Sequence, residues 1–250
     1  MIYFVKGNWE RVVGALARRR TSIPYTEGLG TDESLHIPLD QTRIVQTGLQ
    51  LLDEVGLKEL SMRKIADKLQ VKTASLYYHV KDKDQLMQLL SEEISGEMAW
   101  PDPALPWREQ MTQYGEQFRN ILRSHRDAVE LFLHSFAVGY RRLAQVEKLF
   151  SLFVEAGFPD PHIPWMSAMV KNYVLGFVAE ENQLKAIAAR QGSASVEALG
   201  DQVNEWYRQL PQQKFPNVIR LAPYTTSTNW EEEFRFGMGV LIDGFLMLKK

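Results

Sequence analysis

The chain has 250 residues, 45% of them hydrophobic and 24% charged, with a formal net charge of -2; this is a globular composition with no global attraction to nucleic acid. It contains no cysteine, which excludes disulfides, thiol nucleophiles and thiolate metal sites. No apolar run approaches the roughly 20 residues of a membrane-spanning helix.

The first 38 residues stand apart. Lys6, Arg11, Arg18, Arg19 and Arg20 oppose Glu10, and Pro24, Gly28 and Gly30 then interrupt any helix. The short apolar stretch VVGALA precedes its arginines, the reverse of a secretory signal, so the expected location is the cytoplasm. The segment reads as an extension of unknown role, or as a basic arm of the kind that enters a minor groove.

From residue 39 helical periodicity dominates and hairpin signals are missing, so the fold class is all-α. DQTRIVQTGLQLLDEV (40–55) places Ile44, Val45, Gly48, Leu51 and Leu52 on one face, and Gly56 closes it. Ser61 caps MRKIADKL, a short turn follows, and a two-turn helix is expected over 73–80. Asp82 caps the next helix, which stops before Trp100-Pro101-Asp102-Pro103. The body continues with WREQMTQYGEQFRNILRSH, DAVELFLHSF and YRRLAQVEKLFSLFVEAG, then a long helix over 163–188. Residues 190–228 read as a polar, proline-containing loop, and a last helix over 230–248 begins with acids and ends with lysines.

The helix–turn–helix at 62–80 carries the functional signal. Ser61 to Lys83 holds six basic and two acidic residues, a local excess of four positive charges in an otherwise acidic chain. A two-turn helix has one inward stripe, and Leu76 with Val80 fills it. Thr73, Ala74, Ser75, Tyr77, Tyr78 and His79 therefore cannot all be buried, and their hydroxyls suit phosphates and base edges. Gln70 falls where many helix-turn-helix turns carry glycine, so a left-handed conformation there would cost about 1 kcal/mol. Packing of the tyrosines onto the head's own core is the plainer alternative.

Nothing in the sequence supports a catalytic or metal site. His125-Arg126-Asp127 lacks the glycine-rich loop a kinase needs and reads as a helix start, and the five histidines show no ligand spacing. No cofactor is expected.

The stretch LLDEVGLKELSMRKIADKLQVKTASLYYHVKDKDQLM resembles the DNA-binding head of the tetracycline repressor (TetR) family, and FRNILRSHRDAV, EAGF and YVLGFVAEEN extend the likeness through the body. The resemblance implies a three-helix DNA-binding domain at 39–85 and a helical ligand-binding and dimerisation domain at 86–250. It implies a homodimeric regulator, a repressor released from double-stranded operator DNA by a small-molecule effector. A helical ligand-binding module that does not read DNA is the alternative. The positions that match operator contacts are Arg63, Thr73, Ser75, Tyr77, Tyr78, His79 and Lys83. Those that match the effector site are Tyr114, Phe118, Phe132, Ser135, Leu149 and Glu180. Phe132 and Asn172 stand where the family has histidines, so no metal chelate is expected and the implied effector is apolar or aromatic. The helices at 163–188 and 230–248 match the dimer's four-helix bundle, with Phe234, Met238, Leu241 and Phe245 as its seam.

Overall fold

The computed structural model describes residues 39–249; the basic arm considered for residues 1–38 lies outside them. Among the described residues all regular structure is helical. The head comprises α1 (Gln41–Val55), α2 (Met62–Leu69) and α3 (Thr73–Leu76). The body comprises α4 (Lys83–Gly96), α5 (Trp107–Ser124), α6 (Ala128–Leu133), α7 (Tyr140–Glu155), α8 (Ile163–Gln191), α9 (Val196–Arg208), α10 (Pro216–Thr225) and α11 (Trp230–Leu246).

Side-chain caps start α1, α2 and α4 where the sequence places them. Asp40 accepts from the Arg43 N–H at 2.8 Å, Ser61 from Lys64 at 3.3 Å, and Asp82 from Gln85 at 2.8 Å. Gly56 closes α1 at φ 82°, donating to Leu52 O. The head core is built from Ile44, Leu52, Ile65, Ala66, Leu76 and Val80, all fully buried. Buried Gly48 lets α4 approach, since a Cβ there would meet Leu90 Cδ2 at 3.0 Å. In the body, α5 packs on α8 and α11, while α4 lies against α6 and α7.

Four expectations change. The regular part of the 73–80 helix, the candidate recognition segment, stops at Leu76; Val80 N–H still bonds Leu76 O at 2.9 Å, so residues 77–80 continue as a turn. Residues 190–228 are not a loop but carry α9 and α10. Ser195 caps α9 through the Ala198 N–H at 3.2 Å, Pro216 opens α10, and Leu199 and Ala222 are buried. The helix expected to run through Phe136 ends at Leu133, so Ser135 lies beyond it. Finally, Phe234, Met238 and Phe245 are buried within their own chain rather than left free as a dimer seam. Phe234 stacks on Tyr173 at 5.4 Å and meets Phe177 edge-on at 5.2 Å. Gly237 serves the same packing by receiving the Tyr173 ring.

Candidate DNA interface and effector site

The recognition segment is held from behind and free in front. Gln70 adopts the left-handed conformation at φ 57°, ψ 37°, and Val71 N–H reaches back to Ala66 O at 3.0 Å, which turns the chain sharply out of α2. Leu76 and Val80 then sink completely into the head core. On the other side Tyr78 is 90% and Tyr77 52% exposed. Thr73, Ser75 and His79 are half-buried, and Ala74 is exposed between the two hydroxyls. The His79 carbonyl accepts from Gln41 Nε2 at 3.1 Å, tying the end of the segment to the first turn of α1.

Arg63 projects from the first turn of α2, paired with Asp67 at 3.8 Å on a surface where such a pair contributes little. Lys83, at the N-terminus of α4, places Nζ 3.4 Å from Leu57 O. Six of the seven sequence-derived positions thus lie in the head and Lys83 opens α4 directly after it, with Tyr78, Tyr77, Arg63 and Lys83 exposed.

A strap joins head to body. Asp127, itself left-handed at φ 55°, accepts the Leu57 N–H at 2.7 Å. Arg126 N–H donates to Asp53 Oδ1 at 3.0 Å and its Nη1 to Glu54 O at 3.1 Å. His125 lies 2.9 Å from Glu97 Oε2. The triplet read from the sequence as a helix start does lead into α6, with Asp127 at its N-cap, and it is also the joint between the α5–α6 turn and the end of α1.

Inside the body, Tyr114, Phe118 and Phe132 form one aromatic row with Trp100. Successive centroids lie 5.4 Å (Trp100–Tyr114), 6.3 Å (Tyr114–Phe118) and 5.6 Å (Phe118–Phe132) apart. Leu149 is buried in the same core. Ser135 Oγ donates to Leu131 O at 2.8 Å and accepts from Arg142 Nη1 at 2.6 Å. Burial of Tyr114 raises its hydroxyl above the ordinary range, opposed by Arg142. Glu180 does not join this row. It is exposed on α8, beside a groove lined by Asn172, Tyr173, Gly176, Phe177 and Phe236.

Two charged features were not anticipated. Arg119 is 2% exposed and bonds Glu181, 1% exposed, with Glu231 at 3.0 Å; its guanidinium lies over the Phe177 and Phe234 rings at 5.0 and 4.6 Å. Arg142, 8% exposed, sits over the Phe132 ring at 4.9 Å. Burial lowers its pKa, with Glu92 and Tyr114 pushing the other way. Both were visible in principle as arginines at inward positions. Arg142 lies seven residues before buried Leu149, and Arg119 lies four residues after buried Gly115 and three before buried Leu122.

Residues 44–90 match the family model for bacterial regulatory proteins of the tetR family, and residues 100–248 match the tetracyclin repressor-like C-terminal domain. An HTH-type transcriptional regulator of Saccharopolyspora erythraea is 35% identical over 145 residues, 58% of this chain and 61% of that protein. The class E tetracycline repressor of Escherichia coli is 28% identical over 205 residues, 81% of this chain and 88% of the repressor. The crystal structure of Streptomyces coelicolor ActR with actinorhodin superposes with a TM-score of 0.76 at 30% identity, covering 84% of this chain and 96% of ActR. With a helix-turn-helix head, a helical body and both family models aligned in order, the chain belongs to the tetR family of bacterial transcriptional regulators.

Proposed function

We propose that two copies of this chain form a repressor that reads an operator through residues 39–85 and responds to an effector bound by residues 86–250. The observation that carries this reading is the recognition segment. Its two apolar anchors are fully buried while Tyr78 beside them is almost wholly exposed, an expense in exposed aromatic surface that a partner offsets. In this reading Thr73 and Ser75 probe the major groove, and exposed Ala74 lets the backbone come close. Tyr77, Tyr78, His79, Arg63 and Lys83 hold the flanking phosphates.

Dimerisation is supported by the outer faces of α8 and α11, where Trp165, Met169, Phe236 and Val240 are exposed. The effector reading is supported by the aromatic row and by the ActR structure with actinorhodin. Effector binding against Phe132 and Ser135 bears on α6, whose other end carries Asp127 and the strap to Leu57. A ligand that favours one arrangement of that joint shifts the population of operator-competent dimers.

Tyr78→Ala tests the reading. It is expected to leave thermal stability within about 0.5 kcal/mol, as for an exposed side chain, and to weaken operator binding at least about tenfold. Unchanged operator affinity would remove Tyr78 from the interface; a large loss of stability would make it a packing residue.

A further inference from the structure

Arg142 is a buried cation with neutral protein partners. Its Nη1 donates to Ser135 Oγ at 2.6 Å, to Phe136 O at 3.1 Å and to Ser91 Oγ at 3.3 Å. Among the described residues, Nε and Nη2 have no hydrogen-bond acceptor, and no carboxylate lies within 4.0 Å of the guanidinium. The nearest acids are committed elsewhere. Glu92 accepts the Arg141 and Arg142 backbone N–H groups at 2.9 and 3.3 Å, capping α7 where Gly139 offers no side chain. Glu93 pairs with the Arg141 guanidinium at 2.6 Å.

A guanidinium taken out of water without a counter-charge is costly, and elsewhere in this body the cost is met. Arg119, more deeply buried at 2% exposure against 8%, has Glu181 and Glu231 against it. The contrast is local to the aromatic row. One turn along α7, Gln145 donates to Ser95 O at 2.9 Å but leaves its buried Oε1 without a donor. Lys148 lies over the Trp100 ring at 5.0 Å, placing a second cation at the far end of the row.

We infer that the effector is a planar aromatic acid whose carboxylate pairs with the free Nε–Nη2 edge of Arg142 while its rings lie along Phe132, Phe118 and Tyr114. The fork geometry of arginine matches two carboxylate oxygens, and Gln145 Oε1 accepts a hydroxyl or amide N–H on the same molecule. The apolar or aromatic effector expected from the sequence thereby gains a required negative charge, met by Arg142 on α7. This inference rests on the reading of the body as an effector site.

The probes are 2-naphthoate and its uncharged analogue 2-naphthamide, titrated into the full chain and followed by tryptophan fluorescence. The acid is expected to bind at least about tenfold more tightly than the amide, the value of a charge-assisted hydrogen bond over a neutral one. Arg142→Met is expected to abolish that preference and leave amide binding unchanged; Arg142→Lys retains part of it. Thermal melting of Arg142→Met is expected to match or exceed the parent, because the charge carries a desolvation cost. A collapsed melting point with an intact preference in Arg142→Lys assigns Arg142 to packing as well. Equal binding of acid and amide, binding of neither, or a preference that survives in Arg142→Met overturns the inference. If operator binding persists in those cases, the regulator reading stands; if the parent protein binds no operator, that reading fails instead.

Discussion

At the scale of single residues, Gln70 is the position where sequence and backbone are least in agreement. A left-handed turn is imposed there by the geometry of the helix–turn–helix, and a side chain with a Cβ resists it. Gln70→Gly is expected to stabilise the protein by about 0.5 kcal/mol, the relief of strain less the added freedom of the unfolded chain. A thermal melt that falls instead would mean that the Gln70 side chain makes a contact worth more than the strain. This conflict was legible in the sequence, because Gln70 falls where many helix-turn-helix turns carry glycine. So were Tyr77 and Tyr78, since two inward residues exhaust the stripe of a two-turn segment. Arg142 was not read. Its meaning depends on what Glu92 and Glu93 do across the α4–α7 interface, and no local pattern states that.

At the scale of elements, the joint between head and body rests on few bonds. Asp127 supplies the acceptor for Leu57 N–H, and its left-handed backbone tolerates glycine. Asp127→Gly is therefore expected to speed hydrogen exchange at the Leu57 amide about tenfold, the loss of one hydrogen bond, with α8 amides unchanged. Unchanged exchange at Leu57 would show that the strap does not hold the turn. The α5–α8–α11 junction behaves in the opposite way. Arg119→Met leaves buried Glu181 with only the half-buried Arg123, whose Nε lies 3.5 Å away, and is expected to cost about 3 kcal/mol, whereas Arg119→Met with Glu181→Met recovers most of it. Equal loss in the single and double variants would show that packing rather than charge dominates there. Cap residues made the starts of α1, α2 and α4 readable to within a residue. The α9 and α10 helices were hidden because Pro211, Pro216 and Pro223 suggested a loop, although Pro216 begins α10 and Pro223 lies inside it. The inner face of α11 was misplaced for a different reason. Its apolar residues at 234, 238 and 245 announce burial, but periodicity does not say whether the covering surface is the same chain or another.

At the scale of the whole molecule, the local positive charge on the recognition head, the exposed apolar faces of α8 and α11, and the aromatic row form one device. In the proposed mechanism two heads set by a common body read two half-sites, and an effector acts by changing their separation. The most direct measurement is selection of bound sites from random double-stranded DNA by the full-length protein, followed by affinity against salt for the winning sequence. A palindromic site with half-sites about 34 Å apart, one turn of the duplex, is expected, with affinity falling steeply as salt rises. Sequence-independent binding alone, or an enriched site without two-fold symmetry, would contradict the account.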